Sequence, residues 1–319
     1  MAWFLVNILR GFGEGLFPLL FTVIGLPLIA IFGQRAVNYL LLPIQDMTKA
    51  AREISGSQLN KRLDIREAQD ELQDMAITFN HMLDRIETSV AEQKAFISHA
   101  SHELRTPLAV IDGYSNLLVR WGKEEPEIRD EAIQAIRNET ASMKSLIEKL
   151  LMISRMDYGT QPLDKTAVSV QEIIREVVEE SMVVDEFTPT FIGNSGEVTV
   201  VADRLLLKEL VRILVDNALK YTPVTGKISI KAYEDETRVQ IEVSDTGCGI
   251  AKEHLPHLFD SFYRADDSRT RGTGGTGLGL AIADKIVSLH RGTISVESTL
   301  GEGTHFLIQL PKRPISSAK

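Results

Sequence analysis

At 319 residues, with 44% hydrophobic and 25% charged side chains, the chain has ordinary globular composition and room for two or more domains with separate cores, which excludes global disorder. Its net charge of −9 argues against nucleic acid as the main partner, because a phosphate backbone calls for a basic face. The single cysteine, Cys248, excludes an internal disulfide and fits a reducing compartment for the soluble part; between Gly247 and Gly249 it reads as a small turn filler rather than a catalytic thiol.

Leu16 to Gly33 reads LFPLLFTVIGLPLIAIFG, in which Thr22 alone is polar. As a helix rising about 1.5 Å per residue it covers roughly 27 Å, enough to cross a bilayer. Pro18 and Pro27 are tolerated in such helices, and Arg35 just beyond agrees with a cytoplasmic C-terminal side. A cleaved signal peptide is the rival reading; it would export a remainder that reads as cytoplasmic. The shorter apolar run Trp3 to Leu9 is followed by Arg10, Gly11, Gly13 and Glu14 and reads as an interfacial turn. Residues 1–42 are thus expected to form an N-terminal segment with one transmembrane helix (about 16–34), and almost nothing outside to serve as a sensor.

Ile44, Met47, Ala51 and Ile54 step by three and four residues, the spacing of a heptad seam, which Gly56 ends. Leu59, Leu63 and Ile65 anchor a polar connector, after which Leu72, Ala76, Phe79, Leu83, Ile86 and Val90 resume the seam. With Pro43 at the start and Asp70-Glu71 opening the second helix, residues 43–92 resemble a HAMP module. The resemblance implies a parallel four-helix relay across a homodimer. The alternative, a coiled-coil spacer, has no need of an anchored connector.

The same seam runs on through Ile97, Ala100, Leu104, Pro107, Ile111 and Leu118 at a and d positions, which puts His102 at an outward f position. His99 falls at c, also outward, and reads as a solvated side chain. Ser101 to Leu108 spells SHELRTPL. A neutral imidazole is nucleophilic at one nitrogen when its other N–H is held, and Glu103 next to His102 can serve as base and orienter. Thr106 lies four residues after His102, close to its face of a helix. Pro107 removes a helical N–H and frees the carbonyl of Glu103, so a bend is expected just past His102.

Gly122 to Pro126, GKEEP, is a turn signal. Ile133, Ile136, Thr140, Met143, Ile147 and Leu150 then repeat the stepping to about Met156. Two amphipathic helices alone bury too little, so a homodimer closing a four-helix bundle is the expected solution. SHELRTPL resembles, almost letter for letter, the phospho-acceptor box of sensor histidine kinases, and residues 93–160 resemble the dimerisation and histidine-phosphotransfer domain of that family. The resemblance implies that His102 is phosphorylated from ATP and passes the group to an aspartate on the receiver domain of a response regulator. It also gives Thr106 a part in dephosphorylating that regulator.

A polar break at Asp157 to Thr166, with Gly159 and Pro162, ends the heptads, and a mixed pattern of helix and strand follows. Helices are expected from about Val170 to Val184, from Arg204 to Tyr221, and after the glycine-rich run to about His290. Strands are expected near Thr190 to Gly193 and at Glu197 to Val201, Lys227 to Tyr233, Arg238 to Ser244, Thr293 to Ser298 and Phe306 to Leu310, the middle pair antiparallel about a turn near Asp235.

Three stretches here carry chemistry. In NALKYTP, Asn217 to Pro223, the Asn217 amide oxygen suits Mg²⁺, Lys220 can meet phosphate and Tyr221 can flank a base. In DTGCGI, Asp245 to Ile250, a buried carboxylate can accept from an adenine amino group while Gly247 and Gly249 admit the ring close to the backbone. In GTGGTGLGL, Gly272 to Leu280, exposed N–H groups and a helix N-terminus can cradle phosphates. Any one alone reads equally well as linker or loop. In this order, with LFDSFYR at Leu258 to Arg264 between the last two, they resemble the ATP-binding domain shared by gyrase, heat-shock chaperone, histidine kinase and mismatch-repair proteins, across residues 165–312.

The resemblance implies that Asn217 coordinates Mg²⁺, that Asp245 reads adenine, and that Gly275, Gly277, Leu278 and Gly279 shape the phosphate end of a mobile lid. The P-loop pattern GxxxxGK[ST] is absent. The family often carries a second asparagine four residues before Asn217, where this chain has Ile213.

The expected fold is therefore multidomain: a transmembrane helix, a HAMP coiled coil, an antiparallel helical hairpin that dimerises into a four-helix bundle, and an α/β sandwich that binds ATP, with a tail at 313–319. The expected function is that of a membrane-bound sensor histidine kinase using ATP and Mg²⁺, its HAMP, phosphotransfer and kinase parts cytoplasmic. Two alternatives remain. One is a non-catalytic dimeric scaffold with a weakened nucleotide site, for which Ile213 speaks. The other is an ATP-hydrolysing clamp, which leaves His102 without a role.

Overall fold

The computed structural model describes residues 21–35, 48, 62, 70–157, 163–182, 190–191, 198–265 and 275–312. Most of the expected HAMP module before Asp70, the start of the expected membrane segment, the first three residues of the glycine-rich run and the tail lie outside the described residues. The chain divides into two compact units, Met1–Ala95 and Phe96–Lys319.

In the first unit, Phe21–Gly25 forms one π-helical stretch that continues as α-helix through residue 35. Its apolar side chains, Leu26, Ile29 and Phe32 among them, are exposed. Among the described residues no helix is long and apolar enough to cross a membrane; residues 16–20 of the expected span are not among them. Helix α1, Asp70–Trp121, begins in this unit. Ala76 and Leu83 of the expected seam are buried, whereas Ile86 is exposed. Arg62 of the connector donates to Asp84 at 2.8 Å and to Glu87 at 2.5 Å, an exposed clamp of small energetic weight.

Helix α1 runs through Pro107 without interruption. Its hydroxyls fold back on carbonyls four residues earlier, Thr78 on Asp74 and Ser101 on Ile97, which keeps them from competing with the helix for other partners. Gly122 follows α1 because a Cβ there would meet the Leu118 carbonyl at 2.6 Å. The expected turn then leads into α2, Pro126–Asp157, whose first residue lacks the N–H that a helix start leaves unpaired.

Part of the expected seam lies open within the single chain. Ile97, Ile133 and Ile147, all given seam positions, are 57%, 45% and 43% exposed. The buried residues of α2 are Ala132, Leu146, Ile153 and Met156, and the seam residues Leu104 and Leu150 are half-buried. Leu146, Ile153 and Met156 join the core of the α/β part. Within this one chain, the C-terminal half of α2 packs on that core together with Phe96 and Leu104 of α1.

The α/β part consists of β1 (Lys165–Ser169), α3 (Val170–Met182), β2 (Thr190–Phe191), β3 (Thr199–Asp203), α4 (Arg204–Tyr221), β4 (Ile228–Glu234), β5 (Arg238–Asp245), α5 (Gly279–Leu289), β6 (Thr293–Thr299) and β7 (Gly303–Pro311). The main sheet has the order β2-β4-β5-β7-β6; β1 and β3 form a separate antiparallel pair. Period-two patterning explains the layers. Ile228, Ile230 and Ala232 on β4, Val239, Ile241 and Val243 on β5, and Phe306, Ile308 and Leu310 on β7 are all buried, and the residues between them face outward. The helices cover the apolar side with Ile173, Ile174, Leu207, Leu210, Leu214, Ile282 and Ile286, each fully buried. Strand β1 escaped the sequence reading, because its KTAVS carries one buried residue, Val168, against polar neighbours.

Two buried polar groups fix how α4 and α5 meet. Asp203 caps α4, its Oδ1 accepting from Leu205 N at 3.0 Å and Leu206 N at 3.2 Å, while its Oδ2 accepts from Asp164 N. His290, just past α5, donates from Nδ1 to the Ile286 carbonyl at 2.8 Å and accepts the Asp203 N–H on Nε2 at 3.0 Å. Burial pushes the His290 pKa down, so the ring is held neutral. A depressed folded pKa means that this contribution to stability is present above the unfolded value near 6.5 and is lost as pH falls through the folded value. The urea midpoint is therefore expected to drop between pH 7.5 and pH 5.5, and to drop less steeply in His290→Gln; an unchanged pH slope in that variant would show that His290 is not its source.

Candidate nucleotide and phospho-acceptor sites

Helix α4 carries Ile213, Asn217, Lys220 and Tyr221 at spacings of four, three and one, which puts the first three on one face. Asn217 and Lys220 are half-buried and Tyr221 is exposed. At the end of β5, Asp245 is half-buried; its Oδ1 accepts from Gly247 N at 2.8 Å. Burial pushes the Asp245 carboxyl up, and the N–H groups of Gly247 and Thr304 pull it back down. The carboxylate is thus partly desolvated and held by the Gly247 N–H, with acceptor capacity left over.

The loop after Asp245 folds against α4. Cys248 N–H donates to the Tyr221 carbonyl at 3.2 Å, and a Cβ on Gly247 would lie 2.4 Å from that carbonyl and 2.8 Å from Asp245 Oδ1. Only glycine fits there, because the loop presses on the end of α4. Gly249 has φ 66°, and a Cβ on it would meet the Thr299 carbonyl at 2.0 Å.

The described end of the glycine-rich run closes the third side. A Cβ on Gly275 would lie 2.8 Å from Lys220 Nζ, and one on Gly279 would lie 3.3 Å from Ile213 Cγ2. Gly277 has φ 70° and accepts on its carbonyl the N–H of Phe262 at 3.0 Å. Leu278 is fully buried and precedes α5 without a side-chain cap, leaving the first N–H groups of α5 for an anion. The three stretches read from the sequence therefore come together. Ile213 packs beside Gly279 and is buried.

A cleft of about 670 Å³ lined by Arg238, Arg291 and Pro311 lies at the opposite end of β5 from Asp245 and has none of this chemistry.

On α1, His102, Glu103 and Thr106 are all exposed, which agrees with the outward position expected for His102. Thr106 Oγ1 reaches the His102 carbonyl at 3.5 Å. Among the described residues no hydrogen bond joins the His102 and Glu103 side chains, because successive helical residues point about 100° apart. His99 is exposed but not merely solvated: its ring stands 5.5 Å from that of Phe262, which also meets Phe96 at 5.5 Å.

Three family models match consecutive parts of the chain: the HAMP domain at residues 35–88, the His Kinase A (phospho-acceptor) domain at 92–159, and the histidine kinase-, DNA gyrase B- and HSP90-like ATPase at 202–314. The signal transduction histidine-protein kinase ArlS of Staphylococcus haemolyticus is 33% identical over 311 residues, covering 95% of this chain and 68% of that protein. The chain belongs to the sensor histidine kinase family.

Among other members of this family of protein-histidine kinases, the sensor histidine kinase YkoH of Bacillus subtilis is 35% identical over 291 residues, 89% of this chain and 61% of that one. The chain thus spans about two thirds of the length of these curated relatives. The solved structure of histidine kinase ThkA in complex with response regulator protein TrrA aligns with a TM-score of 0.58 at 26% identity, over 72% of this chain and 65% of that chain. Full-length ShkA in complex with AMPPNP aligns with a TM-score of 0.52 at 26% identity, over 69% and 45%. The sequence reading did not single out Ser298 and Thr304, which lie at the Asp245 end of the sheet. Their only sequence signal is position: they flank a Gly-rich turn between the last two strands.

Proposed function

We propose that this chain is a membrane-anchored, homodimeric kinase that moves the γ-phosphoryl group of ATP to His102 and from there to an aspartate of a response regulator. The observation that carries the reading is the pairing of an exposed histidine in SHELRTPL with one cluster that unites Asn217, Lys220, Asp245 and the Gly275–Gly279 segment in a single chain. The attacking imidazole nitrogen forms a bond to phosphorus as the bond to the ADP oxygen breaks, and the ring proton leaves to a base. Glu103 takes that role once a rotamer change brings it to the ring. Such transfer is mainly positioning and charge stabilisation.

The residues present suit the nucleotide. Asp245 accepts from the adenine amino group, the Gly247 backbone gives the ring its close approach, and Lys220 with the open N-terminus of α5 meets the phosphates. Mg²⁺ fits as well: the Asn217 amide oxygen is a hard donor, and Mg²⁺ characteristically takes one or two protein oxygens together with phosphates and water. Asn217 is the residue that would hold it, and bound there the ion neutralises phosphate charge.

The likeness to ThkA, solved with TrrA, and to ShkA, solved with AMPPNP, supports the regulator and the nucleotide. The apolar stretch at Leu16 to Gly33, followed by a HAMP match, supports the membrane anchor. Exposed Ile97, Ile133 and Ile147 support a second copy of the chain against the hairpin, and Thr106 beside His102 supports a phosphatase role.

Incubation with γ-labelled ATP and Mg²⁺ is expected to leave acid-labile, base-stable label on the protein; folded protein that takes no label would overturn the reading. Asn217→Ala is expected to cut labelling by at least roughly 100-fold, and labelling that persists would remove Asn217 from the metal site.

A further inference from the structure

Ser298 lies near the end of β6, opposite Thr304 on β7. Its hydroxyl makes three contacts. It donates to the Gly303 carbonyl at 2.7 Å, accepts the N–H of Ile250 at 2.8 Å, and lies 3.1 Å from Thr304 Oγ1. A serine hydroxyl has one proton to give and two lone pairs to accept with. With its proton on Gly303, the Thr304 contact must be Thr304 donating, and the hydroxyl is saturated.

These partners belong to two segments that meet at Asp245. Ile250 ends the DTGCGI loop that bears Gly247, and Gly303 and Thr304 begin β7, the strand beside Asp245. Asp245 and Thr304 are partners across the β5–β7 ladder. The turn between β6 and β7 is fastened to the same loop a second time, by Gly301 N–H on the Cys248 carbonyl at 2.7 Å.

We infer that Ser298 is a positioning residue for base recognition: it locks the loop after Asp245 to the β6–β7 turn, so that Gly247, with Thr304 opposite on β7, keeps the carboxylate with one edge turned to the exocyclic amino group of adenine. The inference rests on the reading of Asp245 as the adenine contact. Removing the hydroxyl frees the Ile250 N–H, the Gly303 carbonyl and the Thr304 hydroxyl together, and lets the Gly247 N–H drift from the carboxylate. The phosphate end of the site, built from Lys220 and α5, shares none of these bonds.

The consequence is a change in base selectivity, which a merely structural role would not produce. ATP offers an amino group at the position where ITP has a carbonyl oxygen. The dissociation constants of both are measured by titration calorimetry on the full chain for wild type, Ser298→Ala, Ser298→Thr and Asp245→Asn. Ser298→Ala is expected to shrink the preference for ATP over ITP by about tenfold, and Ser298→Thr to restore most of it. Equal weakening of both nucleotides, or an unchanged preference, would overturn the inference. If Asp245→Asn keeps the wild-type preference, the adenine reading itself fails, and that outcome is distinct from the first. Circular dichroism confirms folding. Should Ser298→Ala not fold, Ser298→Cys, with its weaker donor, takes its place: a reduced ATP preference supports the inference, and an unchanged one overturns it.

Discussion

His102→Gln is expected to reduce phospho-label on the chain to background while leaving ATP affinity and stability nearly unchanged. The physical basis is the exposure of His102 on an uninterrupted helix: an exposed side chain away from caps and cores changes stability by no more than about 0.5 kcal/mol when replaced. Glutamine keeps polarity and a similar length but has no nucleophilic ring nitrogen. The measurement is acid-labile label from γ-labelled ATP, with calorimetric ATP binding on the same samples. Label that survives in the variant would move the acceptor elsewhere, and His99, three residues earlier with its ring against Phe262, would be the first place to look.

Gly249→Ala is expected to damage fold and function together. The residue has φ 66°, a region costly for a residue with a Cβ, and the added atom would lie 2.0 Å from the Thr299 carbonyl and 2.7 Å from its carbon. Backbone sits on both sides of this contact, so no flexible side chain can yield. A loss of about 3 kcal/mol in urea unfolding is expected. Nucleotide binding is expected to fall further than stability alone accounts for, because the loop that must move carries Gly247 and leads back to Asp245. Wild-type stability in Gly249→Ala would mean that the turn relaxes without cost, and would weaken the case that this loop is rigid.

The sequence was most informative where side-chain period and backbone chemistry are local. Helix α4 was legible to the residue because Asp203 supplies a cap at its start and Thr222-Pro223 ends it. The alternating strands β4, β5 and β7 were legible because each buries every second residue. The three nucleotide stretches carried their own signal, glycines where a Cβ does not fit and polar groups beside them.

The heptad seam in the hairpin was legible only as a period. Which side of a helix is buried depends on what packs against it, and Leu146, Ile153 and Met156 are covered by a domain distant in sequence. Strand β1 was invisible for a related reason: five residues with one buried side chain make a strand only because β3 offers them a ladder.

The chain by itself determined that an outward histidine, Glu103 and Thr106 share a short stretch of one helix, and that the elements of an ATP site follow in order. Local periodicity and the backbone demands of glycine suffice for that. Only the tertiary structure decided that Ile213 packs beside Gly279, that Phe262 touches the helix of His102 at Phe96 and His99, and that Ser298 secures the loop behind Asp245. Each of those contacts joins residues far apart in sequence, and pairing across such distances leaves no mark on either segment alone.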